Sequence, residues 1–162
     1  MFASNTSTLV LLAKVGCLED FIKMLLKIEI PIQVKKEALF HKDSYYAKYI
    51  KKLIQDKIIN VVSVNEDEID NIMSQFKLDK GEAATYVMFN RKKHKAILTD
   101  DGELIKLCKL EKIPFICSMA IIIRLYEKKK LFKEDALDKL RKLNEIGRYS
   151  KELYEYFKNE IK

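Results

Sequence analysis

Polar side chains that could do chemistry together stand at four places in this 162-residue chain. Asn5 follows the short apolar opening Phe2-Ala3-Ser4, and Glu37 lies about a turn beyond Pro31. Glu82 sits within Lys80-Gly81-Glu82-Ala83-Ala84, and the doubled acid Asp100-Asp101 follows Ile97-Leu98-Thr99. A cluster of carboxylate oxygens with no histidine or thiol suits a hard divalent cation, Mg²⁺ or Mn²⁺. Such a cation beside a basic surface points to phosphodiester hydrolysis, because it activates water and neutralises charge on the phosphate. A plainer reading stands beside this one. Asp79 to Glu82 and Asp100 to Glu103 both have the form of a capping box, Asn5 or Ser7 could cap a helix, and Glu37 could simply be solvated. Capping needs one acid, however, and does not account for the doubling at Asp100-Asp101.

The elements that must position these groups alternate. Strands are expected at Phe2-Ala3-Ser4, Ile28-Glu29-Ile30, Ile58 to Val64, Lys95 to Thr99 and Pro114 to Cys117. Between them, apolar residues recur at helical spacing. Leu9, Leu11, Leu12, Val15 and Leu18 begin one stretch, broken at Gly16 and continued by Phe21, Ile22, Leu25 and Leu26. Pro31 can start the next helix, with Val34, Ala38 and Leu39 inside. Tyr45 to Ile54 follows, then a helix capped by Asn65 through Ile69 and Ile72, one from Asp79, and one opened by Asp100. Three more run Met119 to Lys129, Lys133 to Ile146 and Ser150 to Ile161, with Gly147 as a natural stop. Apolar strands separated by helices predict an α/β/α sandwich around a mainly parallel sheet, with ligand sites beyond the carboxyl ends of the strands.

Composition bounds the rest. The length fits one domain, residues 1–162. Lys+Arg number 31 and Asp+Glu 24, a net charge of +7 that suits a polyanionic partner. No apolar run is long enough to span a bilayer, and Met1 to Val10 lacks a secretory pattern, so a cytoplasmic protein with no membrane partner is expected. Cys17, Cys108 and Cys117 form no C-x-x-C pair, which argues against a disulfide framework or a zinc knuckle; Cys108 and Cys117 read as small core residues. His94, flanked by lysines, reads as exposed.

The stretches Ser4-Asn5-Thr6-Ser7-Thr8-Leu9 with Leu12 to Gly16, Ile30-Pro31 with Val34 and Glu37, Lys80 to Ala84, and Leu98-Thr99-Asp100-Asp101 occur in an order that resembles the PIN-domain ribonucleases. The closest likeness is to small archaeal and bacterial proteins of that family. The likeness covers Phe2 to about Lys129, leaving a helical extension at about 133–161. It implies a PIN-like three-layer fold with a pocket of three or four acids. The family's acids fall on Asn5, Glu37, Glu82 and either Asp100 or Asp101, Asp101 being favoured because Thr-x-Asp maps onto Thr99, Asp100 and Asp101. Asn5, Glu82 and Asp101 would hold Mg²⁺ or Mn²⁺ for hydrolysis of single-stranded RNA, with Ser7 and Thr99 orienting them. Asn5 departs from the aspartate most common in the family and removes one negative charge.

Lysines on helices leaving the acidic edge, Lys14, Lys35, Lys36 and Lys106, are candidates for holding RNA phosphates. The runs Arg91 to Lys95 and Glu127 to Lys130 read as helix ends complementing the macrodipole. Tyr45, Tyr46 and Tyr49, and Tyr149, Leu153, Tyr156 and Phe157, form helical patches that serve the core or an interface. The resemblance also implies a homodimer and an antitoxin partner, so that the chain would be the toxin of such a pair. Two other readings stay open: a weakened or inactive PIN-fold protein that binds RNA or a protein partner, and a small α/β domain whose acids only cap helices.

Overall fold

Short apolar segments too brief to be stable alone become strands here because five of them pair into one sheet. In the computed structural model, which describes residues 1–24 and 27–162, these are β1 (Phe2–Ser4), β2 (Ile28–Pro31), β3 (Ile59–Val62), β4 (Ile97–Leu98) and β5 (Phe115–Ile116). All pair in parallel, in the order β3-β2-β1-β4-β5. The last three strands expected from the sequence are each trimmed at their ends. Pro31 closes β2 and occupies the N-cap position of the next helix rather than its first turn.

Among the described residues ten helices connect and cover the strands: α1 (Thr6–Lys14), α2 (Leu18–Ile22), α3 (Ile32–Ala38), α4 (Tyr45–Gln55), α5 (Glu66–Gln75), α6 (Lys80–Met88), α7 (Gly102–Leu110), α8 (Ser118–Glu127), α9 (Lys133–Ile146) and α10 (Lys151–Asn159). The expected continuation of α2 through Leu25 and Leu26 lies outside the described residues. Strand alternation divides the core in two. Phe2, Ile28, Ile30 and Leu98 join the cluster that includes α1, α4, α8 and α9, whereas Ala3 and Ile97 join the cluster of α5, α6 and α7. No described helix is long and apolar enough to cross a membrane.

The helical extension belongs to the larger cluster. Ala136, Leu140 and Leu143 of α9 are fully buried in it, and Lys139 Nζ donates to the Val15 carbonyl at the end of α1 (2.7 Å). Of its aromatic patch, Tyr149 and Phe157 pack on the core while Tyr156 stays exposed.

One expectation about the basic runs is corrected. His94 is not exposed but 4% accessible, beneath the sheet's α5–α7 face. Its Nδ1 accepts from the Asn90 amide (3.0 Å), which leaves Nε2 to carry the proton toward Glu29 Oε1 (3.0 Å). Lys93 Nζ closes the group on Glu29 Oε2 (2.6 Å). Flanking lysines conceal this because a single side chain can turn inward where a buried carboxylate on β2 needs a partner. Arg91 meanwhile donates to the carbonyls of Glu111 and Lys112 at the end of α7 (2.7 and 3.0 Å), as a helix-terminal cation should.

Candidate active site

The chain reverses direction across the sheet between β3 and β4, so β1 and β4 lie side by side with their carboxyl ends together. This is the switch point at which parallel sheets hold ligands. Asn5 and Thr99 are the first residues beyond those two strands, and the Asn5 amide donates to the Leu98 carbonyl (3.1 Å). Asn5 stands at the N-cap position of α1, yet its side chain does not cap the helix. Its Oδ1 instead accepts from Ser7 Oγ (2.8 Å), and Ser7 Oγ accepts in turn from the Asp100 amide (3.0 Å). Thr99 Oγ1 accepts from the Asp101 amide (3.1 Å). The two hydroxyl residues thus brace the loops carrying Asn5 and the paired aspartates.

The paired aspartates have opposite fates. Asp100 Oδ1 accepts from Tyr149 Oη (2.6 Å), and Oδ2 accepts from Thr8 Oγ1 and Ser118 Oγ (both 2.6 Å). The Ser118 amide, at the start of α8, adds a donor shared between both oxygens at 3.0 and 3.1 Å. A carboxylate has about four acceptor sites, so this one is saturated. It knots α1, β4, α8 and the segment after α9 together. Burial and the Asp100 charge push the Tyr149 hydroxyl well above its ordinary range, so it stays a donor. Asp101, not Asp100, caps α7 by accepting from the Leu104 amide (2.8 Å). The N-cap is therefore displaced by one residue from the expected Asp100, no capping box forms because Leu104 stands where the second acid is needed, and Glu103 turns outward to Lys106 (3.2 Å).

Glu82 caps its helix and still lines the cleft. It forms the expected capping box with Asp79, accepting from the Asp79 amide (2.9 Å) while Asp79 accepts from the Glu82 amide (2.8 Å). It lines the cleft together with Asp101, near enough for the Asp101 charge to bear on it. Burial first, and then the charges of Asp79 and Asp101, push the Glu82 carboxyl up to about 8.

Glu37 comes from α3 and docks against the start of α6. Thr6 Oγ1 donates to it at 2.7 Å, and the Gly81 amide lies close enough to favour its charged form. Only glycine permits this approach, since a Cβ on Gly81 would stand 2.1 Å from Glu37 Oε1. Partial burial raises the Glu37 carboxyl above its usual range despite those donors.

A cleft of about 440 Å³ opens here, lined by Asn5, Ser7, Glu37, Glu82, Asp100 and Asp101 among others. The structure thus brings every predicted acid to one place. Yet among the described residues no three Asp, Glu, His or Cys side chains are arranged to hold a cation between them. Asp100 is spent on its knot and Glu37 on the start of α6, so the convergent acids reduce to Glu82 and Asp101, with the Asn5 amide oxygen beside them.

None of the four candidate lysines lines the cleft. A nine-residue helix carries its last turn about 13 Å from its start, so Lys14 at the end of α1 is far from the strand tips. It lies instead over the Tyr46 ring, 5.1 Å from its centre. The cation the sequence reading missed is Arg148, which lines the cleft with Ile146 and Gly147. Its signal was one of only four arginines placed at a break between helices. Cys17, Cys108 and Cys117 are buried, and burial pushes their thiols up to about 12, 11 and 11, which leaves them protonated and inert.

Two comparisons bear on this architecture. No curated protein gives a significant match. A family model, DUF3368, described as a PIN domain, matches residues 1–162, the α9–α10 extension included. The parallel sheet, the acid-lined cleft at its switch point and the full-length match agree: the chain belongs to the PIN-domain family, whose fold is of nuclease type.

Proposed function

We propose that the cleft is the active site of a metal-dependent ribonuclease acting on single-stranded RNA. The observation that carries this is the Glu82–Asp101 pair: two carboxyls on the wall of one cleft and, among the described residues, without a basic partner. A protein keeps such a pair at the cost of protonating one member, unless a cation replaces the proton. The donor set is entirely oxygen, which fits Mg²⁺ or Mn²⁺. Glu82 and Asp101 would hold the ion, helped by the lone pair of Asn5 Oδ1 that Ser7 leaves free. When bound, such an ion activates water and neutralises charge on the phosphate. The chain's own groups set the stage: Ser7 and the Asp79 box hold Asn5 and Glu82 in place, Thr99 braces the loop of Asp101, and Asp100 ties the surrounding helices together.

The test is cleavage of a generic single-stranded RNA with Mn²⁺. Activity should appear with the metal, vanish in EDTA and vanish in Asp101→Ala. Cleavage that survives both treatments would exclude this pocket as the active site.

Asn5 favours a second reading. It contributes an amide where a carboxylate would add charge, so the chain would bind RNA or a protein partner with little cleavage. RNA binding without Mn²⁺-dependent cleavage, in a chain that nevertheless binds Mn²⁺, would establish that reading over the first.

A further inference from the structure

We infer that Arg148 grips an RNA phosphate at the acidic cleft and that the α9–α10 extension exists in part to deliver it there; this rests on the cleft being the RNA site. Three of the four arginines are already engaged. Arg91 caps α7, Arg124 pairs with Glu127 (3.3 Å), and Arg141 pairs with Asp138 and Glu145 (2.7 Å each). Arg148, exposed and lining the cleft, makes no hydrogen bond or ion pair among the described residues.

Its position is nevertheless held. Gly147 ends α9 in an extended conformation, and a Cβ there would stand 2.3 Å from Tyr149 Cε2. The missing side chain lets the Tyr149 ring fold back against the turn and reach Asp100 with its hydroxyl (2.6 Å). Arg148 is thus pinned between a glycine with no freedom to accept a side chain and a tyrosine anchored to the site's own aspartate. Five acids line the same cleft, Glu37, Asp79, Glu82, Asp100 and Asp101, and Arg148 pairs with none of them. That separation leaves acids able to hold a cation on one side of a phosphate and a guanidinium able to fork onto its oxygens on the other. Arginine suits the task because it is always charged and donates through a planar fork.

The experiment follows a labelled single-stranded oligoribonucleotide by fluorescence anisotropy on the full chain in EDTA, across a salt series. Arg148→Ala should weaken binding roughly tenfold and make the log–log salt slope shallower by about 0.7. Arg148→Lys should recover part of the affinity, since it restores charge without the fork. Arg124→Ala, an arginine outside the cleft, should stay within about twofold of the parent. Thermal melts of each variant should coincide. An unchanged affinity and slope in Arg148→Ala overturns the assignment, as does a loss of affinity accompanied by a lowered melting temperature. Mn²⁺-dependent cleavage by the parent chain is scored separately. A parent that binds RNA through Arg148 but does not cleave keeps this inference and sinks the nuclease reading. A parent that cleaves, with Arg148→Ala binding normally, does the reverse.

Discussion

Two carboxylates in this molecule, one buried and one half-buried, have surroundings that could hardly differ more. Glu29, on β2, is 4% accessible and fully compensated, with Lys93 on one oxygen and His94 on the other. Glu82, at the start of α6, shares its cleft with another acid, Asp101, and is held by a backbone amide alone. A buried charge that brings its own partners serves the fold, because its desolvation is offset within the chain. A pair of acids without a counter-charge lowers stability as it ionises and is relieved only by something the chain does not supply. What decides their roles is the presence or absence of a counter-charge.

The sharpest way to break this contrast is to remove the uncompensated pair. Glu82→Gln should reduce Mn²⁺-dependent RNA cleavage by roughly a hundredfold or more, measured as initial rate on a labelled oligoribonucleotide. It should also leave the fold at least as stable at neutral pH, since the acid–acid repulsion disappears; a clear drop in melting temperature would count against the contrast. Next comes the compensated carboxylate. Glu29→Ala strands the Nε2–H of His94 in the interior and should cost about 2 kcal/mol of stability in urea unfolding. Its effect on specific activity, measured well below the unfolding transition, should be small.

Charge at the first strand end gives a smaller effect. Asn5→Asp should tighten Mn²⁺ binding about tenfold in titration calorimetry, because ligand charge tunes affinity for hard cations. Equal affinities would mean that Asn5 does not face the ion. The smallest effect is a pH limb. Burial, chiefly, lowers the His94 pKa, outweighing the pull of Glu29. The unfolded chain therefore binds more protons than the folded one below the ordinary histidine value of about 6.5. The stability contributed by neutral His94 is complete above that pH and is lost as pH falls toward the folded value. Glu82 acts with the opposite sign, since its raised pKa favours the folded state as pH falls through about 8. The His94 share is isolated by comparison: the urea midpoint of the parent should decline relative to His94→Gln between pH 7 and 5.

Much of the fold was legible before any coordinates. Apolar periodicity located all five strands and the helices of the extension to within a few residues, because burial demands it locally. The convergence of the acids on one cleft was legible as a set, and Glu82 could be read two ways because it caps a helix and also lines that cleft. What the sequence concealed depends on contacts across many residues. Asp100 and Asp101 are chemically identical and adjacent, and only the arrival of Thr8, Ser118 and Tyr149 assigns one to the knot and leaves the other in the cleft. His94 looks like one more member of a basic run until β2 brings Glu29 beneath it. Lys14 stands apart from the cleft because position along a helix, not membership of it, decides distance from a strand tip.

By itself, then, the chain's pattern determined an α/β sandwich with acids gathered at the carboxyl ends of its strands, since period and polarity are properties of neighbours. Only the tertiary structure decided which acids lack a counter-charge. It also decided that a segment more than forty residues beyond Asp101 returns to the cleft with an arginine. Those outcomes depend on which side chains meet, and a meeting between distant residues is settled when the sheet and its covering helices close around one core.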